Sequence, residues 1–350
     1  MHDLVIHISL FLLSNVLFGA VMASFFLRHV ERSLLGGSAT ILLGLGLAPF
    51  AITWILNAVL ILVPGVTAWV AVGAVLLIFL LLALLAGRGW RELVEVVSAS
   101  IKPWRSPATW PYLFFTGAMI FGTYIMMVYK PLVDHDILEY GTQGRIFLRD
   151  MAVRYEAHHY DEASGFYYVG LHGFSFPLLF TWEGALRGLF QNDGDAWVRV
   201  QTPFFAWLLV TFLWVWVRRY GPWLAIWVIG AFTLTLGFLY LNTIYHVDPV
   251  RIFLFTASLA LFAAVLRSQS PAGLLLWGIV LGAHALTHSL GMILAPFMLA
   301  IFVAVSPGAI LPRLRQGGLA TMAFVVAGGF HYILDVAIGT GWLFKDITWF

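Results

Sequence analysis

Two aspartates and a histidine stand together in the stretch KPLVDHDILEY, residues 130–140. A carboxylate such as that of Asp134 or Asp136 is suited to act as a general base, and two carboxylates together can hold a divalent cation. On an extended segment the two side chains would point the same way, which favours metal binding. At a helix start they would diverge by about 200°, which favours one base and one structural partner. The spacing alone leaves both arrangements open.

Other ionisable residues stand at the edges of apolar runs. His246 and Asp248, in NTIYHVDPVRIF, precede one run, and Pro249 is typical of a first helical turn. His284 and His288, in GAHALTHSL, end another run, and their spacing of four predicts that they share a helix face. Each set also has a structural interpretation, as a helix cap or as a hydrogen bond between helices. Ionisable residues at membrane depth usually face a cavity, so their joint pattern favours a functional site.

The composition sets the class of protein. Of 350 residues, 61% are hydrophobic and 10% are charged, and the mean hydropathy is +0.91, whereas soluble domains carry about 25% charged residues. The sequence therefore predicts an all-α polytopic membrane protein. It has no basic tract that would favour nucleic acid as a partner, and zero cysteines exclude disulfides and thiolate metal sites. We interpret the N-terminal MHDLVIHISLFLL as the first span and not as a signal peptide.

Apolar runs of about 20 residues predict about ten transmembrane helices. They lie at 4–27, 39–63, 67–87, 110–130, 198–217, 222–241, 249–266, 272–288, 290–306 and 318–340. The runs 272–288 and 290–306 could instead form one long broken helix, which would reverse the orientation of everything after them.

Basic residues in the short loops predict the orientation. Eleven of the 19 lysines and arginines fall on one side of this arrangement, which is then cytoplasmic. The segment 131–197 lies outside and holds ten of the 17 acidic residues. Within it, residues 137–151 and 174–190 have apolar residues near helical spacing and predict two amphipathic helices in the plane of the membrane interface.

The order of several motifs resembles the GT-C superfamily of membrane glycosyltransferases, especially its protein O-mannosyltransferase and lipid A aminoarabinose transferase branch. The motifs are Asp134-His-Asp136 with Tyr140, Gly144-Arg145, Tyr167-Tyr168, His172-Gly-Phe-Ser-Phe-Pro177-Leu, Arg199-Val-Gln-Thr-Pro203, Asp248-Pro-Val-Arg-Ile-Phe-Leu and Thr287-His288. The resemblance covers roughly residues 110–305 and divides the chain into extra N-terminal transmembrane helices, 1–109, and a GT-C-like core, 110–350. Asp-His-Asp replaces the family's Asp-Glu, and the sequence ends before the later spans and C-terminal domain of many members. We therefore expect a truncated, compact or degenerate relative.

The resemblance implies a function at the outer face of a bacterial inner or plasma membrane, in the synthesis of the cell envelope. A sugar would pass from a polyprenyl-phosphate donor to a protein, lipid or glycan acceptor, with Asp134 or Asp136 as the base. The resemblance and the chemistry of the leaving phosphate together give the substrate-binding candidates Tyr140, Arg145, His172, Arg199, Asp248, Arg251 and His288. A divalent metal, Mg²⁺ or Mn²⁺, is the cofactor that this chemistry would accept, and its candidate ligands are Asp134, Asp136, Asp248, His246 and His284.

Two other classes of function stay open. A proton-coupled transporter also uses buried aspartates and histidines, although its polar residues are expected near the membrane midplane and in inverted repeats. A non-catalytic membrane subunit of a larger complex, derived from the same fold, would keep the helices without the activity.

Overall fold

The chain is helical, as its composition predicts. The computed structural model describes residues 9–10, 12–101, 109–129, 135–153, 173–189, 198–241 and 246–337, and these contain no strand. The helices that position the candidate residues are α1 (Leu12–His29), α2 (Arg32–Leu35), α3 (Gly37–Leu62), α4 (Ala68–Ala86), α5 (Gly89–Ile101), α6 (Trp110–Tyr129), α7 (His135–Asp150), α8 (Ser175–Leu189), α9 (Val198–Val217), α10 (Pro222–Thr233), α11 (Leu236–Leu241), α12 (Asp248–Ser268), α13 (Pro271–Thr287), α14 (Ser289–Val305) and α15 (Ile310–Ala337).

Six of these helices are long and apolar enough to cross a membrane, counted over the described ranges: α1, α3, α4, α9, α12 and α15. Each overlaps a predicted span, so an all-α membrane protein is confirmed, but the count does not reach the predicted ten. Three of the other predicted runs form shorter helices, because α13 and α14 have 17 residues each and 222–241 is broken into α10 and α11. The remaining run, 110–130, forms the 20-residue helix α6.

The described chain divides into two compact units, each built from three stretches. The first unit comprises Met1–Pro49, Leu77–Ile137 and Asn192–Ala257, and the second comprises Phe50–Leu76, Leu138–Gln191 and Ser258–Phe350. The boundary predicted between residues 109 and 110 rests on the family resemblance and stays a prediction.

In the first unit, a buried amide pair joins α1 to α9. The Asn15 side-chain amide donates to Gln201 Oε1 at 2.9 Å, and the Gln201 amide donates to Asn15 Oδ1 at 3.2 Å. Both side chains are at most 1% exposed. Reciprocal amide bonds between apolar helices satisfy polar groups that lipid would leave without partners, so this pair fixes how α1 and α9 face each other.

In the second unit, small residues let α13 and α15 approach closely. A Cβ atom built on Gly328 would lie 1.9 Å from the carbonyl oxygen of Gly282, and one on Gly278 would lie 2.3 Å from that of Ala320. Backbones that come this close leave room for nothing larger than glycine. Small residues spaced by four along α13 are the usual device for packing helices in membranes, where no hydrophobic driving force acts between them.

The helices α13 and α14 form a hairpin and not one long broken helix. The rings of Trp277, near the middle of α13, and Phe302, in the last turn of α14, lie 5.4 Å apart, so the chain folds back between them. His288 is the hinge, with an extended backbone at φ −154° and ψ 141°. One of the two alternatives left by the sequence is thereby excluded.

The helix α8 differs from the predicted amphipathic helix, because it has no broad exposed face. Nearly every residue from Gly173 to Arg187 is buried inside the second unit. Its two charged residues, Glu183 and Arg187, lie one turn apart and pair with each other. With the charges paired, all faces of the helix can be covered by protein. The helix α7 is amphipathic as predicted, and its apolar face packs on α8.

Candidate functional site

The structure distributes the predicted site residues over several helices. Asp134 and His172 lie outside the described residues. Asp136 is the second residue of α7, and Arg199 is the second residue of α9. The other candidates are described with their surroundings: Tyr140, Arg145, His284 and His288 in the second unit, and His246, Asp248 and Arg251 in the first.

Tyr140 is a buried packing residue of α7. It is 2% exposed, and its ring meets Phe176 of α8 edge to face at 5.3 Å. Arg145 lies on the exposed face of the same helix. Between them, Gly144 lets α8 approach, since a Cβ atom there would lie 2.6 Å from the carbonyl oxygen of Pro177. A tyrosine in this position orients α7 rigidly, and its predicted contact with substrate stays a prediction.

Polar side chains of α8, α3 and α15 lie near the start of α8. The hydroxyl groups of Ser175 and Thr53 lie 2.8 Å apart, which links α8 to α3. Beside them, the ring of Phe174 packs edge to face on the imidazole of His331 of α15 at 4.5 Å. All four side chains are at most 2% exposed. This junction of hydroxyl and imidazole groups is therefore inside the protein and not on a lipid-facing surface.

The end of α13 approaches the same junction. A Cβ atom on Gly173 would lie 2.0 Å from the carbonyl oxygen of Leu286, so the segment that starts α8 rests against the last turn of α13. His284, one turn from the end, is 2% exposed. An ionisable residue therefore lies buried at this end of α13.

The prediction that His284 and His288 share one helix face is wrong. The helix ends at Thr287, and His288 caps the following helix, where its Nδ1 accepts a hydrogen bond from the Leu290 N–H at 3.1 Å. One ring nitrogen of His288 is therefore engaged by the backbone of α14. The two imidazoles therefore have different local roles, one inside α13 and one at the hinge.

Two buried ionisable residues of α15 were missed in the sequence. His331 and Asp335 are 2% and 4% exposed and stand one helical turn apart. A π-helical stretch, Val325–Gly329, precedes them, and the indole N–H of Trp54 donates to Val326 O there at 2.9 Å. Single π-helical turns occur often at functional sites. The sequence signal for His331 and Asp335 is the i, i+4 pair in HYILD, which lies inside the predicted apolar span 318–340.

A buried ion pair within α8 was also missed. Arg187 Nε lies 3.3 Å from Glu183 Oε1, with side-chain exposures of 8% and 0%. Both residues make further contacts in the protein. We call Glu183, Arg187, His284, His331 and Asp335 the buried ionisable set. Ionisable residues enclosed in a membrane-embedded unit are costly and commonly functional.

In the first unit, His246, Asp248 and Arg251 form a compact cluster at the start of α12. The helix begins at Asp248 with Pro249 in its first turn, which confirms the predicted helix start. The Arg251 Nε pairs with Asp248 Oδ1, and His246 Nδ1 lies 3.3 Å from Asp248 Oδ2. The same Nδ1 is 3.2 Å from the Asp248 N–H, so a neutral imidazole accepts from the backbone and an imidazolium donates to the carboxylate.

These contacts bear on the predicted metal ligands. Asp248 sits at a helix N-terminus and beside a guanidinium, so its charge is already compensated, and it is poorly suited to hold a divalent cation as well. Among the described residues no group of three or more histidine, aspartate or glutamate side chains is arranged to hold a metal ion.

Comparison with known proteins gives no relative: no family model, no curated protein and no solved structure matches this chain.

Proposed function

We propose that this chain is a membrane glycosyltransferase of the GT-C kind, which moves a sugar from a polyprenyl-phosphate donor to an acceptor on the extracytoplasmic side. The observation that carries the proposal is that acidic residues of two of its motifs begin helices. Asp136 is the second residue of α7 and Asp248 is the first residue of α12. The resemblance assigns acidic residues to these places, and a helix start positions a carboxylate firmly at the edge of an apolar region.

In the proposed reaction a hydroxyl oxygen of the acceptor attacks the anomeric carbon of the donor sugar. The new C–O bond forms as the bond from that carbon to the phosphate oxygen breaks, and the electron pair leaves with polyprenyl phosphate. The hydroxyl proton passes to the carboxylate of Asp134 or Asp136. Among the predicted substrate-binding residues, Arg251, held in place by Asp248, is the cation that would meet the leaving phosphate.

The test is turnover by the purified protein in nanodiscs. We expect release of polyprenyl phosphate from at least one of a panel of polyprenyl-phosphate sugars, when acceptor peptides, lipids and glycans are supplied. Heat-inactivated protein in the same nanodiscs is the control for spontaneous hydrolysis. A well-folded protein that turns over no donor in the panel would favour the non-catalytic subunit instead.

A proton-coupled transporter is the second candidate, favoured by the buried ionisable set of the second unit. His284, His331 and Asp335 are all at most 4% exposed. Histidine titrates near neutral pH, and buried histidines and carboxylates are the usual parts of proton pathways in membranes. Proton uptake into proteoliposomes driven by a candidate solute, lost in Asp335→Asn, would support the transporter over the transferase.

We also propose that the shorter apolar helices cross the membrane, so that about ten spans place the 131–197 segment outside the cytoplasm of a bacterial inner membrane. A 17-residue helix is about 26 Å long, close to the hydrocarbon thickness. The hairpin of α13 and α14 supports two crossings, with the start of α13 and the end of α14 on the same side of the membrane.

Single cysteines test this arrangement, because the natural chain has none to label. We expect Ser268→Cys and Ala309→Cys to react with a membrane-impermeant maleimide only in inverted vesicles, which expose the cytoplasmic face. Ser289→Cys should react only in right-side-out vesicles, which expose the opposite face. The cysteine-free protein is the control for background labelling. Labelling of Ser289→Cys from the same side as Ser268→Cys would contradict two crossings.

A further inference from the structure

An open cavity lies in the first unit at the start of α3 and the end of α9. Its volume is about 570 Å³, within the range of small-molecule sites. The residues around it come from the segment 35–39, from Thr109 and from residues 214–222. None of the residues in the predicted glycosyltransferase site lines it, so it needs its own explanation.

Two adjacent arginines, Arg218 and Arg219, line this cavity. Arg218 is half-buried and Arg219 is exposed, and Arg219 Nη2 donates to Leu35 O at 3.1 Å, which ties its guanidinium to the rim. Within the described residues, no carboxylate lies at ion-pair distance from either guanidinium. The cavity therefore carries two positive charges that an anion from outside the chain could neutralise.

The backbone adds further donors to the lining. The first turn of α3, Gly37 to Ala39, lines the cavity, and the helical ladder begins only where the Thr40 N–H donates to Gly36 O at 3.1 Å. The N–H groups before that point have no acceptor within the helix. Gly36 is at φ +83°, a left-handed conformation that turns the chain sharply into α3. Guanidinium groups and a helix N-terminus that line one cavity can bind phosphate together.

Exposed aromatic residues indicate the depth of the cavity relative to a membrane. Trp110, Tyr220 and Trp223 immediately follow lining residues in the sequence and are 68%, 66% and 72% exposed. Tryptophan and tyrosine concentrate where the headgroups of the bilayer lie. The cavity therefore opens at headgroup level, where the phosphates of lipids are the anions at high local concentration.

We propose that this cavity binds the phosphate of an anionic membrane phospholipid through Arg218, Arg219 and the first turn of α3. The headgroup enters the cavity, and the acyl chains remain in the bilayer beside the exposed aromatic residues. Basic pockets between transmembrane helices bind lipid headgroups in this way. The proposal does not depend on the glycosyltransferase activity.

The experiment is a titration with phosphatidylglycerol, read by native mass spectrometry of the delipidated full-length protein. We expect one tightly held lipid in the wild type. The double variant R218Q/R219Q should bind it about 30-fold more weakly, because each basic residue near an anionic headgroup is worth about fivefold in affinity. R218K/R219K keeps both charges and should lose less.

The matched control is R88Q/R91Q, which removes two arginines from exposed positions of the same unit outside the cavity. It should bind phosphatidylglycerol as the wild type does, and phosphatidylcholine should show no single tight site in any variant. An equal loss in both glutamine variants would mean a general surface charge effect and would overturn the proposal. Displacement of the lipid by millimolar inorganic phosphate would assign the cavity to a soluble anion instead.

Discussion

Asparagine in place of Asp134 or Asp136 is expected to lower sugar transfer by about 100- to 10,000-fold at one of the two positions, since a positioned general base contributes a factor of this size. If the two carboxylates held a metal together, both variants would lose activity equally. Asp136 is already helical, as the second residue of α7. Side chains two residues apart at a helix start point about 200° away from each other around the axis. We therefore expect the pattern of a single base.

The measurement is the initial rate of polyprenyl-phosphate release, with and without Mg²⁺, Mn²⁺ or a chelator. Asp150→Asn is the matched control, because it makes the same substitution at the other end of the same helix, about 21 Å away along the axis. The Asp150 carboxylate pairs with Arg149 at the helix end, at 2.7 and 3.0 Å. We expect Asp150→Asn to keep wild-type rates.

The outcomes separate the candidate functions. Equal loss in both variants, restored by added metal, would replace the single base with a metal site. Unchanged rates in Asp134→Asn and Asp136→Asn would remove both residues from the chemistry and leave the resemblance without its catalytic part.

The sequence predicted best what is local along the chain. Six apolar runs became helices long enough to span a membrane, and α12 begins at Asp248 as its Asp-Pro pair indicated. Such signals need only about 20 consecutive residues, because a membrane span satisfies its own backbone. The count of ten was less secure because length decides it, and α13 and α14 are only 17 residues each.

What the sequence did not predict depends on contacts between distant segments. The stretch of α8 looks amphipathic by itself, and only its burial inside the second unit shows that Glu183 and Arg187 face protein and not water. His284 and His288 are four apart in sequence, but His288 is the hinge after α13 and caps α14. The spacing rule holds only within one helix, and α13 ends at Thr287, one residue before the predicted end of the apolar run.

The buried pair of α8 leads to the second large expected effect. Glu183→Gln should lower the stability of the second unit by about 3–5 kcal/mol, because it leaves the Arg187 charge enclosed without its carboxylate partner. Arg187→Met should lower the stability by a similar amount, because it leaves the Glu183 carboxylate enclosed without the guanidinium. The side-chain exposures of 0% and 8% make this a buried pair, unlike the Arg149–Asp150 pair, whose side chains are 33% exposed or more.

The double variant distinguishes charge from packing. A buried pair replaced by neutral groups of similar volume avoids the enclosed charge, so Glu183→Gln with Arg187→Met should be more stable than either single variant. Thermal unfolding in detergent ranks the stabilities of these variants. The control Asp150→Asn alters an exposed pair worth at most about 1 kcal/mol and should melt as the wild type does. Losses that simply add in the double variant would mean that each residue acts through its other contacts. If Glu183→Gln melted normally but abolished transfer or transport, the pair would belong to the working site, and the buried ionisable set of the second unit would become the place to look for it.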